Sequence, residues 1–208
     1  MKKILICDID STINNHWKRI EKWSKDTPNN EISWKAFTMK ELMKDDPLPN
    51  SQKALSELSK KYTIHFLTAR GFNAYKKGRI FPEKFYNLRG GYLMLKTNNY
   101  LSMFCSLFIN KKEKMKNKYA FSITEKWLKN HGFLYDELIV VNNIYDKIKI
   151  LKDSCCDLYI DDMSWGQNHV GPYKNLYDDF ILELDRININ YEIFNNDNNW
   201  LQILKKYK

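Results

Sequence analysis

The sequence predicts an α/β fold built on a parallel β-sheet, and two observations carry this prediction. Short apolar segments of strand length alternate along the chain with amphipathic segments of helical length, which is typical of βαβ units. In addition, the first apolar segment, residues 4–7, runs directly into two aspartates, Asp8 and Asp10. A buried strand that ends in this way brings carboxylates to the carboxyl edge of the sheet, where open α/β folds have their active crevice. At 208 residues, the chain is long enough for one such domain with a modest insertion.

The individual elements follow from apolar spacing and from start and stop signals. Strands are expected over residues 3–8, 63–67, 137–141, 157–160 and 191–194. Helices that pack on the sheet are expected over residues 51–61, 122–130, 145–153, 176–187 and 198–206. Pro49 and Ser51 mark the start of the first helix, and Gly132 marks the end of the second. The predicted architecture is a Rossmann-like three-layer α/β/α sandwich with a central parallel sheet, formed by residues 1–13 and 49–208.

Two segments are longer than ordinary connections between such elements. Residues 14–48 are expected to form an insertion at the carboxyl edge of the sheet, with helices over about 15–25 and 33–45. Residues 71–120, rich in Tyr and Phe, are expected to form a second insertion in the core domain. Within the 14–48 segment, Trp17 and Phe37 are the candidates for lining a pocket at this edge. The alternative is that these aromatic side chains form the hydrophobic core of the segment itself.

Charge and hydropathy restrict the partners and the location. The formal net charge of +9 is compatible with a polyanionic partner, but enrichment in Lys and Asn also follows from an AT-rich genome. The lysine-rich run 111–118 is therefore expected either as a solvated loop or helix face or as a nucleic-acid contact. No apolar stretch reaches the roughly 18 residues that span a bilayer, and Asp8 and Asp10 interrupt any signal-peptide segment. We therefore expect a cytoplasmic protein with no membrane partner.

Polar side chains also follow the later strands. They are Thr68 and Arg70, with Ala69 between them, after the second strand, Asp161 and Asp162 after the fourth, and Lys147 in the preceding helix. Carboxylates that lie close together need a cation or must share a proton. A hard cation such as Mg²⁺ prefers oxygen ligands. The four histidines are scattered without ligand spacing and are expected at the surface or as satisfied core residues. The pattern therefore indicates Mg²⁺-assisted chemistry at the carboxyl edge of the sheet.

Taken together, these residues resemble the motifs of the haloacid dehalogenase superfamily of phosphotransferases. The family motif DxDxT reads Asp8-Ile9-Asp10-Ser11-Thr12, with Ser11 at a position that is usually Gly. The strand-two hydroxyl, the lysine and the acidic motif are Thr68, Lys147 and Asp161-Asp162, in the family order over residues 3–162. The segment Thr68-Ala69-Arg70-Gly71 and the pair Asn199-Trp200 resemble the 5′-(deoxy)nucleotidase branch.

The resemblance implies a Mg²⁺-dependent phosphomonoesterase that works through an aspartyl-phosphate intermediate. In this scheme, Asp8 is the nucleophile, and Asp10 is the general acid and then the general base. The metal is held by Asp8, by the backbone carbonyl of Asp10 and by Asp161, with Asp162 as a further ligand, direct or through water. Mg²⁺ neutralises the carboxylate and the phosphate dianion and fixes an in-line geometry.

The phosphoryl oxygens are assigned by the same resemblance to Thr68, Ala69 and Lys147, with Lys149 as the alternative lysine. Arg70 is expected either to contact the substrate phosphate or to pair with a surface carboxylate. The resemblance also implies that residues 14–48 form a small, mainly helical cap over the site, where Trp17 or Phe37 would stack on a nucleobase. The expected substrate is a small phosphorylated molecule, a nucleotide before others. The alternatives are a polynucleotide 3′-phosphatase, a small phosphometabolite phosphatase, and a non-catalytic binding module that retains the fold. The oligomeric state is not predicted.

Overall fold

A five-stranded, all-parallel sheet forms the centre of the molecule. The computed structural model describes residues 2–24, 39–70, 109–141, 144–163 and 176–208. Its strands are β1 (Lys3–Cys7), β2 (Tyr62–Thr68), β3 (Glu137–Val140), β4 (Leu158–Asp161) and β5 (Tyr191–Ile193). Its helices are α1 (His16–Ser24), α2 (Met39–Leu42), α3 (Ser51–Leu58), α4 (Ile109–Asn130), α5 (Ile144–Asp153), α6 (Leu176–Arg186) and α7 (Trp200–Tyr207). The predicted α/β class is confirmed.

The strand order places the end of β1 at the centre of the sheet. The order is β3-β2-β1-β4-β5, so the chain runs outward from β1 to β3 and then crosses to the other side for β4 and β5. The point where the direction of winding changes lies between β1 and β4, and such points are the ligand crevices of open α/β sheets. Cys7 pairs in register with Phe66 of β2 and with Ile160 of β4. The residues that follow these three strands therefore meet at one edge.

Both faces of the sheet are covered by helices, which gives the predicted three layers. Successive residues of a strand point to opposite faces, and Leu5 and Ile6 of β1 are both fully buried. One face packs against α3, α4 and α7, with Leu55, Trp127 and Trp200 in its core. The other face packs against α5 and α6, with Leu151 and Phe180 in its core. Burial on both faces is typical of a parallel sheet and explains why β1 is a continuous apolar run.

The helices differ from the prediction in two places. Helix α4 begins at Ile109 rather than at residue 122, so the lysine run 111–118 lies on a helix that continues into the core. This stretch contains no Gly or Pro and is rich in Lys, a good helix former, but it lacks the apolar spacing used for the prediction. Helix α2 accounts for only part of the predicted helix 33–45; residues 33–38 lie outside the described residues, and the chain turns after Leu42. Helix α4 ends as predicted, with Gly132 in a left-handed conformation (φ 67°).

The two ends of the 14–48 segment lie side by side next to β1. The backbone N–H of Asn15 donates to Asp46 O (2.8 Å), and that of Leu48 donates to Ile13 O (2.8 Å). Asn14 and Pro47 form an isolated antiparallel bridge between them. The segment thus leaves the core and rejoins it at one point; its assignment as a separate cap stays a prediction, as does that of 71–120 as an insertion. No described helix has the length and apolar character needed to cross a membrane.

Candidate functional site

The carboxyl ends of β1, β2 and β4 bring the predicted site residues together. Asp8 follows β1 directly, and its backbone N–H donates to Ile160 O (2.8 Å), so the pairing with β4 continues past the strand end. Thr68 is the last residue of β2, and Asp161 is the last residue of β4. All three predicted residues, Asp8, Thr68 and Asp161, are buried. The site therefore lies at the crevice that the strand order defines.

Three carboxylates and one ammonium group form the centre of this site. Asp8, Asp161 and Asp162 each place a carboxylate oxygen within 4.8 Å of the others. Lys147 of α5 donates from Nζ to Asp8 Oδ1 at 2.6 Å and to Asp161 Oδ2 at 2.8 Å. Lys147 is buried, whereas Lys149 is exposed on the same helix, so Lys147 is the lysine that reaches the acidic cluster. One ammonium group among three carboxylates leaves a net negative charge when all three are ionised.

The electrostatics of the acidic cluster make Asp8 sensitive to a cation. Burial raises the pKa of Asp8 to about 7; the charge of Lys147 opposes this, and the negative charges of Asp161 and Asp10 add to it. Burial works against the charge of Lys147 too, but the adjacent Asp161 and Asp8 hold the pKa of its ammonium group above its usual range. A second cation beside Asp8 would favour the ionised carboxylate.

The acidic cluster fits a hard divalent cation by donor type and by spacing. Its donors are oxygens, and the ligand oxygens of Mg²⁺ lie about 2.1 Å from the ion, so two of them lie at most about 4.2 Å apart. One carboxylate oxygen from each of Asp8, Asp161 and Asp162 lies within 4.8 Å of the others, which is of the same order as that limit. The carboxylate of Asp10 does not belong to this cluster. Its predicted contribution through the backbone carbonyl stays a prediction.

Backbone and side-chain donors fix the orientation of the Asp161–Asp162 pair. Asp161 Oδ1 accepts from the backbone N–H of Met163 (2.7 Å), and Asp161 Oδ2 accepts from the hydroxyl of Tyr159 as well as from Lys147. The backbone N–H of Asp162 donates to Thr12 Oγ1 (2.9 Å), which ties the end of β4 to the loop after β1. Tyr159 was not among the predicted site residues. Its position two residues before Asp161 places it on the same face of β4, and this alternation was the signal for it.

Asp10 lies beside the acidic cluster in a separate, positively charged environment. Arg70 donates to its carboxylate from Nε (2.8 Å) and from Nη2 (2.9 Å), in the two-pronged geometry typical of a strong Arg–carboxylate pair. His16 Nδ1 lies 3.3 Å from Asp10 Oδ1. Burial opposes ionisation, yet the Arg70 guanidinium holds the pKa of Asp10 well below its usual range, and His16 acts in the same direction. The expectation of Arg70 paired with a surface carboxylate is wrong, because Arg70 is only 2% exposed and its partner belongs to the site.

Further polar residues support Asp10 from the 14–48 segment, and the sequence patterns did not indicate them. Asn14 donates from Nδ2 to Asp10 Oδ1 (3.1 Å) and to Asp45 Oδ2 (2.9 Å). Arg19 of α1 donates from Nε to Asp45 Oδ1 (2.9 Å). Burial raises the pKa of Asp45 to about 6, against the opposing effect of Arg19. The imidazole of His16 is largely buried and contacts Asp10 and Arg19, which is consistent with the expectation of a satisfied core residue.

The remaining predicted residues lie at the border of the site or outside the residues that the structure describes. Ala69 is half-buried and packs with the apolar layer on the α5–α6 side of the sheet. Trp17 is half-buried, and its ring meets the ring of His16 edge-to-face at 5.5 Å. Phe37 lies outside the described residues. The predicted role of Trp17 in a substrate pocket stays a prediction.

The fold and the acidic cluster define an α/β protein with a buried carboxylate–lysine centre. This centre lies between β1 and β4, at the switch point where the winding of the parallel sheet changes direction. In comparisons with known proteins, no family model matches the chain, and no curated protein is significantly similar to it. The centre itself is thus the basis on which a function can be proposed.

The raised pKa of Asp8 predicts how the metal-free protein responds to pH. Between about pH 4 and pH 7, the unfolded chain has released the Asp8 proton while the folded protein retains it. Stability therefore falls as pH rises through this interval, by at most about 1.4 kcal/mol per pH unit. The side chain of Asp8→Asn does not titrate, so the variant lacks this pH dependence. When both proteins are unfolded with urea in EDTA, the free energy of unfolding of wild type should therefore fall relative to that of the variant from pH 4 to pH 7. If the free energies of unfolding of the two proteins ran parallel with pH, the raised pKa of Asp8 would be contradicted. Added Mg²⁺ should reduce the fall in the stability of wild type.

Proposed function

We propose that this protein is a Mg²⁺-dependent phosphomonoesterase of the haloacid dehalogenase type, with Asp8 as the nucleophile. The observation that carries the proposal is the position of Lys147. Its ammonium group bonds to Asp8 and Asp161 at once, and Asp162 completes an acidic cluster at the switch point. A carboxylate nucleophile beside a cation site and a fixed ammonium group is the arrangement that phosphoryl transfer from a dianion requires.

The first step forms a covalent intermediate on Asp8. A carboxylate oxygen of Asp8 attacks phosphorus, the bond from phosphorus to the leaving oxygen breaks, and Asp10 donates a proton to that oxygen. Lys147 and Thr68 stabilise the charge on the transferred phosphoryl group. A bound Mg²⁺ would be held by Asp8, Asp161 and Asp162 and would supply the positive charge that lets a carboxylate approach a phosphate dianion.

The second step returns the enzyme to its starting state. Asp10 takes a proton from water, the water oxygen bonds to phosphorus, and the phosphorus–Asp8 bond breaks to release phosphate. Arg70 lowers the pKa of Asp10 and so favours its ionised form, which is the form that can accept a proton from water. For the acid role, Asp10 must hold a proton; a substrate phosphate that draws on the charge of Arg70 weakens the Asp10–Arg70 pair and raises the pKa of Asp10.

A nucleotide is the substrate class that we place first. Trp17 lies beside His16, which itself contacts Asp10, so an aromatic surface is close to the proposed acid–base group. Aromatic rings of this kind stack on nucleobases. A polynucleotide 3′-phosphate is the second candidate, because the lysine run 111–118 lies along helix α4. A small phosphometabolite is the third.

A substrate panel tests the proposal. Purified protein is assayed for phosphate release from 5′-mononucleotides, phosphosugars, 3′-phosphorylated oligonucleotides and p-nitrophenyl phosphate, with Mg²⁺ or with EDTA. We expect Mg²⁺-dependent release, fastest for a nucleotide, and none from Asp8→Asn purified identically, which controls for contaminating phosphatases. Fastest release from the oligonucleotide, weakening steeply with salt, would favour the polynucleotide substrate. Absence of turnover on every compound would refute the enzyme and favour a binding module.

A further inference from the structure

A buried ion pair in the 14–48 segment has no role in the proposed chemistry. Arg19 donates from Nε to both carboxylate oxygens of Asp45, at 2.9 and 3.2 Å. The two side chains are only 4% and 2% exposed. Buried ion pairs of this kind seldom stabilise a fold more than apolar side chains of the same size, because desolvation offsets their attraction. Stability alone therefore does not account for the Arg19–Asp45 pair.

Asn14 connects this pair to the Asp10 carboxylate. Its side-chain amide makes three hydrogen bonds: Nδ2 donates to Asp45 Oδ2 (2.9 Å) and to Asp10 Oδ1 (3.1 Å), and Oδ1 accepts from the backbone N–H of Ser11 (2.9 Å). Asn14 is completely buried. Ser11 has a left-handed backbone (φ 65°), which costs energy in a residue other than glycine. The Asn14 amide therefore holds the turn after β1 and one oxygen of Asp10 at the same time.

Asp45 is fixed in turn by the core of the molecule. Its backbone carbonyl accepts from Trp127 Nε1 (2.9 Å), and Trp127 is a fully buried residue of α4. The position of the Asp45 carboxylate is thus set by a core helix and by Arg19. Through its bond to Asn14, Asp45 therefore also restricts the position of Asp10, which lies in the turn after β1.

Asp45 and His16 together hold Arg19 at a distance from Asp10, since Arg19 bonds to Asp45 through Nε and to His16 Nδ1 through Nη2 (2.8 Å). Arg19 Nη2 lies 3.6 Å from Asp10 Oδ1, which is longer than a hydrogen bond. If the charge of Asp45 were removed, Asp10 would be the nearest described carboxylate to Arg19. Arg19 would then compete with Arg70 for Asp10 and pull its carboxylate out of the two-pronged geometry with Arg70.

We propose that Asn14 and Asp45 are positioning residues that set the orientation of the Asp10 carboxylate. This inference rests on the proposed function, because the orientation matters for catalysis only when Asp10 is the acid–base group. Misplacing a catalytic group by about 1 Å costs roughly 10²-fold in rate.

Two variants and one matched control test the proposal by kinetics and by crystallography. Asn14→Leu removes all three side-chain hydrogen bonds at similar volume, and Asp45→Asn removes the charge at the same volume. Asn15→Ala is the control: this neighbouring Asn accepts a hydrogen bond from the backbone N–H of Lys18 (3.3 Å) and takes no part in the Asp10–Asn14–Asp45 chain of bonds. We expect both variants to lose roughly 10²-fold in kcat with KM within about threefold of wild type. In crystals of the variants, Asp10 should lose at least one of its bonds to Arg70.

The two readouts separate failure of this inference from failure of the proposed function. If both variants keep kcat within about threefold of Asn15→Ala, or if both bonds from Arg70 to Asp10 persist in the variants, the positioning role is wrong. If wild type hydrolyses no phosphomonoester, the proposed function fails, and the crystal structures alone decide whether Asn14 and Asp45 orient Asp10. If Asn14→Leu does not fold, Asp45→Asn carries the test.

Discussion

Asp8→Asn is expected to reduce Mg²⁺-dependent phosphomonoester turnover by about 10³-fold or more while the protein stays folded. The amide has the size of the carboxylate but cannot form the acyl-phosphate bond, so the reaction loses its covalent step. One carboxylate of the acidic cluster disappears as well, and affinity for Mg²⁺ should fall with it. The loss is measured as kcat on the best substrate of the panel, with circular dichroism and urea unfolding as checks on folding.

Asp153→Asn is the matched control for this experiment. It makes the same chemical change at an exposed position of α5 and should leave kcat within about twofold of wild type. If Asp8→Asn kept more than about a tenth of wild-type turnover in the absence of contaminating activity, Asp8 would not be the nucleophile.

Lys147→Met is expected to cause the largest loss of stability of any single change in the site. The ammonium group of Lys147 donates hydrogen bonds to the carboxylates of both Asp8 and Asp161, and all three side chains are at most 6% exposed. Removing one partner of a buried pair leaves uncompensated charge, which typically costs about 3–5 kcal/mol. The free energy of unfolding in urea at neutral pH should fall by this order, and turnover should be lost because the phosphoryl group loses its cationic ligand.

Two comparisons make the Lys147 result specific. Lys149→Met lies on the same helix but is exposed, and it should change stability by less than about 0.5 kcal/mol. The loss in Lys147→Met should also shrink below pH 6, because Asp8, whose pKa is already raised, then takes up a proton and no longer needs a partner. Equal effects of the two variants, or a loss that does not depend on pH, would contradict the assigned pairing.

The fold and the acidic cluster were predictable because local patterns determine both. Leu5, Ile6 and Cys7 of strand β1 are fully buried within the three layers and are all apolar, and the first polar residue after them, Asp8, marks the end of the strand. The same holds for β4 and Asp161. Parallel strands bring their carboxyl ends to one edge, so the meeting of Asp8, Thr68 and Asp161 followed from their positions at strand ends.

The surroundings of Asp10 were not predictable, because they depend on contacts distant in sequence between irregular segments. Asn14 and Asp45 are 31 positions apart, and Asp10 and Arg70 are 60 apart. No periodic pattern connects such residues, and the bridge between Asn14 and Pro47 that brings them together has no signal of its own. The contact of His16 with Asp10 was not predicted for the same reason, because the histidines were judged only by the spacing of metal ligands.

The early start of α4 has a different cause. The prediction relied on an amphipathic pattern, and residues 109–121 have lysines where that pattern requires apolar side chains. Helix propensity favours a helix over this stretch, and it is a weaker signal than spacing.

The most direct test of the proposed chemistry is a pre-steady-state experiment on Asp10→Asn with an excess of p-nitrophenyl phosphate and with Mg²⁺. Nitrophenolate leaves without a proton from the enzyme, so Asp8 should still be phosphorylated, whereas hydrolysis of the intermediate needs the base that Asn cannot provide. We expect a burst that approaches one nitrophenolate per protein molecule, and an acid-quenched peptide that carries a phosphoryl group on Asp8. Steady release without a burst and without a phosphorylated peptide, or a phosphoryl group on another residue, would contradict an aspartyl-phosphate mechanism at Asp8.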